Sequence, residues 1–181
     1  RQPRRRRGRL MARAGAPSLV VRAGREKSLH RRHPWIYSGA IERVDGAPGS
    51  GDTVDVRAHD GAFLAKAAYS PSSQIRARVW SFAPDTIDAA WFARRVRAAV
   101  EARADMLDAA HTACRLVHGE SDGLPGVVAD RYGDTLVVQL TSAGAEAWRG
   151  AIVDALLAAT GASTAVERSD AGLVRDDTGH L

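Results

Sequence analysis

Residues 18–82 combine short alternating segments with closely spaced turns, and this pattern limits the possible folds more than any other feature of the chain. Val54 and Val56 alternate with polar neighbours, which is typical of a half-buried strand. The following His59-Asp60-Gly61 is a hairpin turn signal, and Ile75–Phe82 alternates again. About five such strands, with one helical turn, predict a small barrel or sandwich. A segment of fewer than 70 residues can close a barrel but cannot enclose a deep cleft, so the pattern favours a surface-binding module over an enzyme site.

The composition changes at Ala83-Pro84-Asp85, which we interpret as a domain boundary. Asp88 is a suitable N-cap for an amphipathic helix that we predict to continue to about Leu107. Three strands, a second helix and a last strand are then predicted over Arg115–His118, Val127–Tyr132, Thr135–Leu140, Ala143–Thr160 and Ser163–Glu167. We therefore expect an α+β protein, in which a small β-barrel is followed by an incomplete α/β domain.

Charge is divided unevenly along the chain. Residues 1–82 contain 15 Arg and 2 Lys against 6 acidic residues, whereas residues 83–181 contain 9 Arg against 15 acidic residues. This asymmetry predicts a basic, polyanion-binding half and an acidic half with another role. Residues 1–16 are rich in arginine and lack apolar periodicity, so we predict a disordered basic arm. That arm either binds nucleic acid or is a translated upstream region that precedes a start at Met11.

Cations and aromatic residues are adjacent between Ala23 and Ile41. Arginine and lysine neutralise phosphates, and aromatic rings stack on unpaired bases. Two further arginines are separated by one residue on a predicted strand, so they share one face and can contact adjacent phosphates. An ordinary solvated face is the alternative for all these cations. The candidate RNA-binding residues are Arg25, Lys27, Arg31, Arg32, His33, Trp35, Arg76 and Arg78.

Trp35 has two interpretations, a stacking platform or a buried support. We expect it to belong to the core, because a lone tryptophan in a small barrel is more often buried.

Three carboxylates near one turn invite a catalytic or metal interpretation: Glu120, Asp122 and Asp130. The neighbouring Asp-Gly and Pro-Gly pairs are strong turn formers, so a structural turn is favoured. Asp130 is expected to form an ion pair with Arg131, its neighbour in sequence.

Other chemistry is not indicated. His111, Cys114 and His118 have a metal-like spacing, but three ligands at a helix-to-strand junction rarely converge, so we expect no metal site. No glycine-rich phosphate loop follows a strand, and no cofactor is expected. No apolar run is long enough to cross a membrane. A single cysteine excludes an internal disulfide and fits the cytoplasm.

Four segments follow one another in a recognisable order: GREKSLHRRHPWIYSGAI, SGDTVDVRAHDGAFLAKAAYSPSSQIRARVWSF, RLVHGESDGLPGVVADRYGDTLVVQLTSAGAE and ERSDAGLVR. Together they resemble the N-terminal portion of the PUA-domain-containing, class I, S-adenosylmethionine (SAM)-dependent large-subunit (23S) ribosomal RNA cytosine-5 methyltransferases. The resemblance extends over roughly residues 17–176. It implies a PUA barrel at 17–82 and a connecting α/β domain at 83–181.

The resemblance also implies a Rossmann-like domain that binds SAM and carries the catalytic cysteine, which we expect to lie outside this chain. Cys114 does not match that cysteine. In the family, a cysteine thiolate adds to an accessible cytosine, which then takes a methyl group at C5. The resemblance implies RNA docking on the segment from Arg25 to Trp35, and it allows a homodimer. We expect this chain to position ribosomal RNA and to be inactive alone; a stand-alone RNA-binding module and a protein-docking module remain alternatives.

Overall fold

The computed structural model describes residues 16–106 and 112–169, which form two β-sheets and four α-helices. The first sheet contains β1 (Ser18–Val21), β2 (Trp35–Tyr37), β3 (Ile41–Asp45), β4 (Thr53–Arg57), β5 (Phe63–Tyr69) and β6 (Ile75–Ser81). A short helix, α1 (Lys27–His30), connects β1 to β2. The sheet has one strand more than predicted, because a 3₁₀ turn at Ser38–Ala40 divides the expected extended segment into β2 and β3.

The strands of the first sheet are ordered β2-β6-β5-β4-β1-β3. β1 and β4 are parallel, and the other neighbours are antiparallel. Although β2 and β3 are consecutive in the chain, they lie at opposite edges, and the sheet curls around one apolar core. Alternation places the small and branched side chains inside, namely Leu19, Val21, Val54, Val56, Ala65, Ala67, Ala77 and Val79. The β-module predicted from the sequence is confirmed as a curled sheet.

The second sheet contains β7 (Ala113–His118), β8 (Val127–Tyr132), β9 (Thr135–Leu140) and β10 (Thr164–Glu167), ordered β10-β9-β8-β7. The pairs β7–β8 and β8–β9 are antiparallel, whereas β10 joins β9 in parallel. Three helices accompany this sheet: α2 (Ala89–Glu101), α3 (Ala143–Ala147) and α4 (Arg149–Thr160). Helix and strand side chains share one buried cluster that includes Phe92, Val96, Leu136, Val138, Ile152 and Leu156. The α+β class is therefore confirmed.

Both long helices are shorter than predicted. Asp88 is the N-cap of α2 as expected, and its Oδ1 accepts a hydrogen bond from Trp91 N at 2.8 Å. The helix ends at Glu101, and Leu107 lies outside the described residues. The predicted helix over 143–160 is interrupted at Trp148 (φ −102°, ψ 13°), whose ring packs 5.0 Å from the ring of Phe92.

The first sheet packs directly on helices α2 and α3, which accompany the second sheet. Ala68 of β5 and Trp80 of β6 belong to the buried cluster of the second sheet and not to that of the first. The Trp80 ring lies 6.2 Å from Trp91 and 5.2 Å from Phe92, in edge-to-face arrangements that add to the hydrophobic stabilisation.

The close approach of α3 to the first sheet depends on a glycine. A Cβ on Gly144 of α3 would overlap the Cβ of Ala68 and would lie 2.9 Å from Trp80 Cζ2. The contact between α3 and β5 therefore has no room for a side chain at this position.

Candidate nucleic-acid interface

The segment around α1 is anchored by one apolar side chain, and apart from the half-buried Glu26 the other residues from Arg25 to His33 are exposed. Leu29 is 4% exposed and packs in the core of the first sheet. Arg32 adopts a left-handed conformation (φ +60°) and its N donates to the carbonyl of Leu29 at 2.8 Å. This turn, followed by Pro34, ends the helix. The exposed residues of the segment therefore extend into solvent from a fixed backbone.

A groove of about 390 Å³ lies beside α1 and contains both cations and an aromatic ring. Arg25 and Lys27 line it together with Tyr37, whose side chain is 49% exposed. Among the residues that the structure describes, neither Arg25 nor Lys27 has a carboxylate partner. We call this site the α1 groove. Its composition suits a phosphate backbone with an unstacked base.

Trp35 does not belong to either core, so the expectation of a buried support is wrong. The side chain is half-buried, and its Nε1 donates a hydrogen bond of 2.7 Å to Glu120 Oε1. Glu120 lies in the turn after β7, in the part of the chain that forms the second sheet and its helices, which we call the second sheet's unit. Its ring lies 5.9 Å from His33 and 6.5 Å from Tyr37, both edge-to-face. A partner distant in sequence therefore determines the position of this ring.

Tyr37 was missed among the candidate residues. On β2, Ile36 is 3% exposed, so the alternation places Trp35 and Tyr37 on the opposite face. The apolar Ile36 between two aromatic residues was the signal that could have identified Tyr37.

The other predicted cations lie at the end of α1 and on β6, the strand that pairs with β2. Arg31, at the end of α1, is exposed, and Arg76 on β6 is half-buried. Arg78 lies directly opposite Trp35 in the β2–β6 ladder. Arg76 and Arg78 flank Ala77, which is fully buried, so they share the outer face as predicted. The structure thus brings β2 and β6 residues to one sheet edge.

Arg32 and His33 are separated from the α1 groove. The Arg32 guanidinium carbon lies 5.6 Å from the centre of the Phe82 ring, in a second concavity between the first sheet and α2. His33 is exposed, and its Nδ1 accepts a hydrogen bond from Trp35 N at 3.2 Å. Arg25 and Lys27 therefore line one concave site and Arg32 lines another, whereas the remaining candidates line neither of these two sites.

The carboxylates at 120–130 have structural partners. Asp122 accepts two hydrogen bonds from Arg103 Nη2, each at 3.0 Å, and a third from His118 N at 2.6 Å. The structural-turn interpretation agrees with these contacts. Asp130 pairs with Arg115 at 2.8 Å, and the expected pair with Arg131 is wrong because the β7–β8 register places Arg115 opposite Asp130. The hydrogen bond to Asp130 raises the pKa of Arg115.

Replacement of Asp122 by Ala should lower the free energy of unfolding by about 2–3 kcal/mol, because the Arg103 guanidinium and the His118 N–H both lose an acceptor. Urea unfolding measures this change. Asp154→Ala, at an exposed position of α4, is the matched control and should shift stability by less than about 0.5 kcal/mol. Equal effects of the two variants would contradict a structural role for Asp122.

Residues 16–106 and 112–169 contain neither a metal-binding cluster nor a membrane-spanning helix. Within these ranges no group of His, Cys, Asp and Glu side chains could hold a metal ion, and His111 lies outside them. None of the helices described is long and apolar enough to cross a membrane.

Comparison with known proteins finds a match to the first sheet. Residues 19–82 match the family described as PUA-like domain. We name these residues the PUA-like domain after this match; they extend from β1 to β6 and include the α1 groove.

Similarity to curated proteins extends beyond the PUA-like domain. The chain is 52% identical over 158 residues to ribosomal RNA large subunit methyltransferase I of Cronobacter sakazakii. It is 50% identical over 158 residues to the protein of the same name from Escherichia coli K12. Each alignment covers 84% of this chain but 39% of the relative, so the chain spans about two fifths of their length.

Two solved structures share the fold. SMU.776, described as a methyltransferase and solved in complex with SAH, has a TM-score of 0.72 at 21% identity, over 86% of this chain and 41% of that chain. A protein from Streptococcus mutans, described as a SAM-dependent methyltransferase, has a TM-score of 0.71 at 22% identity, over 84% of this chain and 40% of its own.

Proposed function

We propose that this chain is the RNA-binding part of a class I SAM-dependent methyltransferase that modifies C5 of a cytosine in large-subunit ribosomal RNA. The observation that carries the proposal is the α1 groove, where Arg25 and Lys27 flank the exposed Tyr37 with no acidic partner in the described ranges. The relatives named ribosomal RNA large subunit methyltransferase I support ribosomal RNA as the polyanion. Residues 17–82 then bind RNA, and residues 83–181 connect this domain to the methyltransferase domain.

SAM is assigned to the part of the relatives that this chain does not match. In the described residues, β9 continues into α3 through Thr141 and the N-cap Ser142, with no glycine-rich turn that could hold a nucleoside. Cys114 is half-buried, and its Sγ contacts the carbonyl of Arg115 at 3.4 Å. These residues do not fit SAM binding, and no step of methyl transfer is assigned to them.

This chain would contribute binding and orientation. Arginine and lysine side chains at α1 fix the position of the phosphate backbone, and aromatic rings hold a base that has left its stack. Methylation at C5 requires an accessible base, because an active site cannot reach that carbon while the base is stacked inside a helix. Holding the RNA with one segment unpaired is therefore a useful role for a surface-binding domain.

Salt dependence tests the proposal directly. We expect the 181-residue chain to bind fluorescein-labelled ribosomal RNA fragments, with an affinity that falls linearly on a log–log plot against salt concentration. Arg31→Ala combined with Arg32→Ala should weaken binding by about 1–3 kcal/mol in total. Fluorescence anisotropy over a salt series measures both. Absence of binding at low salt would contradict the proposal. Unchanged affinity of the folded double variant would show that the end of α1 does not contact the RNA.

A further inference from the structure

A second concave site lies between the first sheet on one side and α2 with the turn after β7 on the other, so its lining combines both parts of the chain. This interdomain cleft has a volume of about 360 Å³, near the lower end of the range of about 300–1,000 Å³ that is usual for small-molecule sites. The PUA-like domain contributes Arg32, Trp80 and Phe82, and the second sheet's unit contributes Arg95, Glu120 and Gly123.

Two arginine side chains line the cleft, and the guanidinium group of each packs against an aromatic ring. Arg32 lies over the Phe82 ring, with its guanidinium carbon 5.6 Å from the ring centre. Arg95 of α2 lies 5.1 Å from the centre of the Trp91 ring. A Cβ on Gly123 would be 3.4 Å from Arg95 Nη1, so the guanidinium also rests against the glycine turn. Within 16–106 and 112–169, neither arginine forms a salt bridge, although the positive charge of Arg95 helps to lower the pKa of Asp85 beside the same cleft.

The carboxylates of the cleft are occupied by donors of the protein. Glu120 Oε1 accepts from Trp35 Nε1 at 2.7 Å, and Asp85 Oδ2 accepts from Ser81 Oγ at 2.6 Å. The Ser81 hydroxyl holds the pKa of Asp85 below its usual value, so this carboxylate stays charged. With two cations and two carboxylates, the cleft is balanced in charge. A balanced site suits one base with its phosphate better than a continuous run of phosphates.

We propose that the interdomain cleft holds one unpaired nucleotide of the bound RNA. Arg32 stacks on the base, and Arg95 contacts its phosphate. This inference rests on the proposed RNA-binding function and adds a contact from the second sheet's unit. It also specifies that the substrate strand is single-stranded where it crosses the cleft.

Binding of short RNAs by single-site variants of the 181-residue chain tests the cleft. Arg95→Ala should weaken binding of a single-stranded RNA about tenfold and that of the matching duplex less than about twofold. Arg97→Ala removes the same charge from an exposed position of α2 that does not line the cleft, and it should change either affinity less than about twofold. Thermal unfolding of each variant establishes that it is folded.

Arg32→Ala provides a second measurement, because it removes the guanidinium that is proposed to stack on the base. It should weaken single-strand binding about threefold, with little effect on the duplex. If Arg32→Ala does not fold, the Arg95 comparison alone decides. Equal effects of Arg95→Ala and Arg97→Ala would overturn the proposal that the cleft holds a nucleotide. If RNA binding then still depends on Arg31, the proposed RNA-binding function stands. Absence of salt-dependent RNA binding by the unaltered chain would overturn both.

Discussion

Gly144→Ala should destabilise the folded chain by about 3 kcal/mol. The added Cβ would overlap the Cβ of Ala68 and approach Trp80 Cζ2 to 2.9 Å. Both neighbours are almost fully buried, at 3% and 2% exposure, and neither is a flexible side chain that could move aside. Relief therefore requires a shift of α3 away from β5, and overpacking of this kind typically costs about 1–3 kcal/mol, occasionally more. Urea unfolding followed by tryptophan fluorescence measures the change.

Gly150→Ala is the matched control for this prediction. Gly150 lies in α4, and a Cβ built there meets no heavy atom within 4 Å. Alanine has the higher helix propensity, so this variant should be neutral or more stable by up to about 1 kcal/mol. The two glycine substitutions thus have opposite expected signs. A Gly144→Ala variant as stable as the unaltered chain would show that α3 does not pack against the first sheet as described.

Charge reversal of the α1 groove should have the largest effect on RNA binding. Arg25→Glu combined with Lys27→Glu removes two cations from the groove beside Tyr37 and introduces two repulsive charges. We expect the affinity for single-stranded RNA to fall by about 100-fold at moderate salt. The slope of log affinity against log salt should become shallower by about 1.4, since each phosphate contact on a single strand contributes roughly 0.7. Anisotropy titrations over a salt series give both quantities.

An equal change of charge elsewhere provides the control. Arg97→Glu with Arg168→Glu alters net charge by the same amount at exposed positions beyond the PUA-like domain. This variant should lose less than about fivefold in affinity, through long-range repulsion alone. Similar losses in both double variants would indicate that net charge governs binding and that the α1 groove is not the contact surface.

Tyr37→Ala should weaken RNA binding by about 1–3 kcal/mol if a base stacks on this ring.

The strands of the first sheet were predictable because each depends mainly on its own alternation. Val54 and Val56 face inward on β4 whichever strand lies beside them, and the His59-Asp60-Gly61 turn ends that strand locally. The N-cap of α2 was likewise readable, because Asp88 satisfies a backbone donor only three residues away. Local chemistry thus determines where these elements begin.

The errors concern contacts between distant residues. Asp130 was assigned to its neighbour Arg131, but the register of β7 and β8 selects Arg115. Trp35 was assigned to the core, but its indole donates to Glu120, 85 residues away. No periodicity in the sequence encodes which strands become neighbours or how two sheets meet. The same reason hid the interdomain cleft, because Arg32 and Arg95 come together only where the first sheet meets α2.

The bond from Trp35 to Glu120 has a mechanical consequence. It ties the edge strand that presents Tyr37 to the 3₁₀ turn at Gly119–Asp122, and the neighbouring Gly123 supports Arg95. A force applied to β2 is therefore passed to the turn that supports Arg95, so a ligand bound at Tyr37 is expected to displace both units in the same direction.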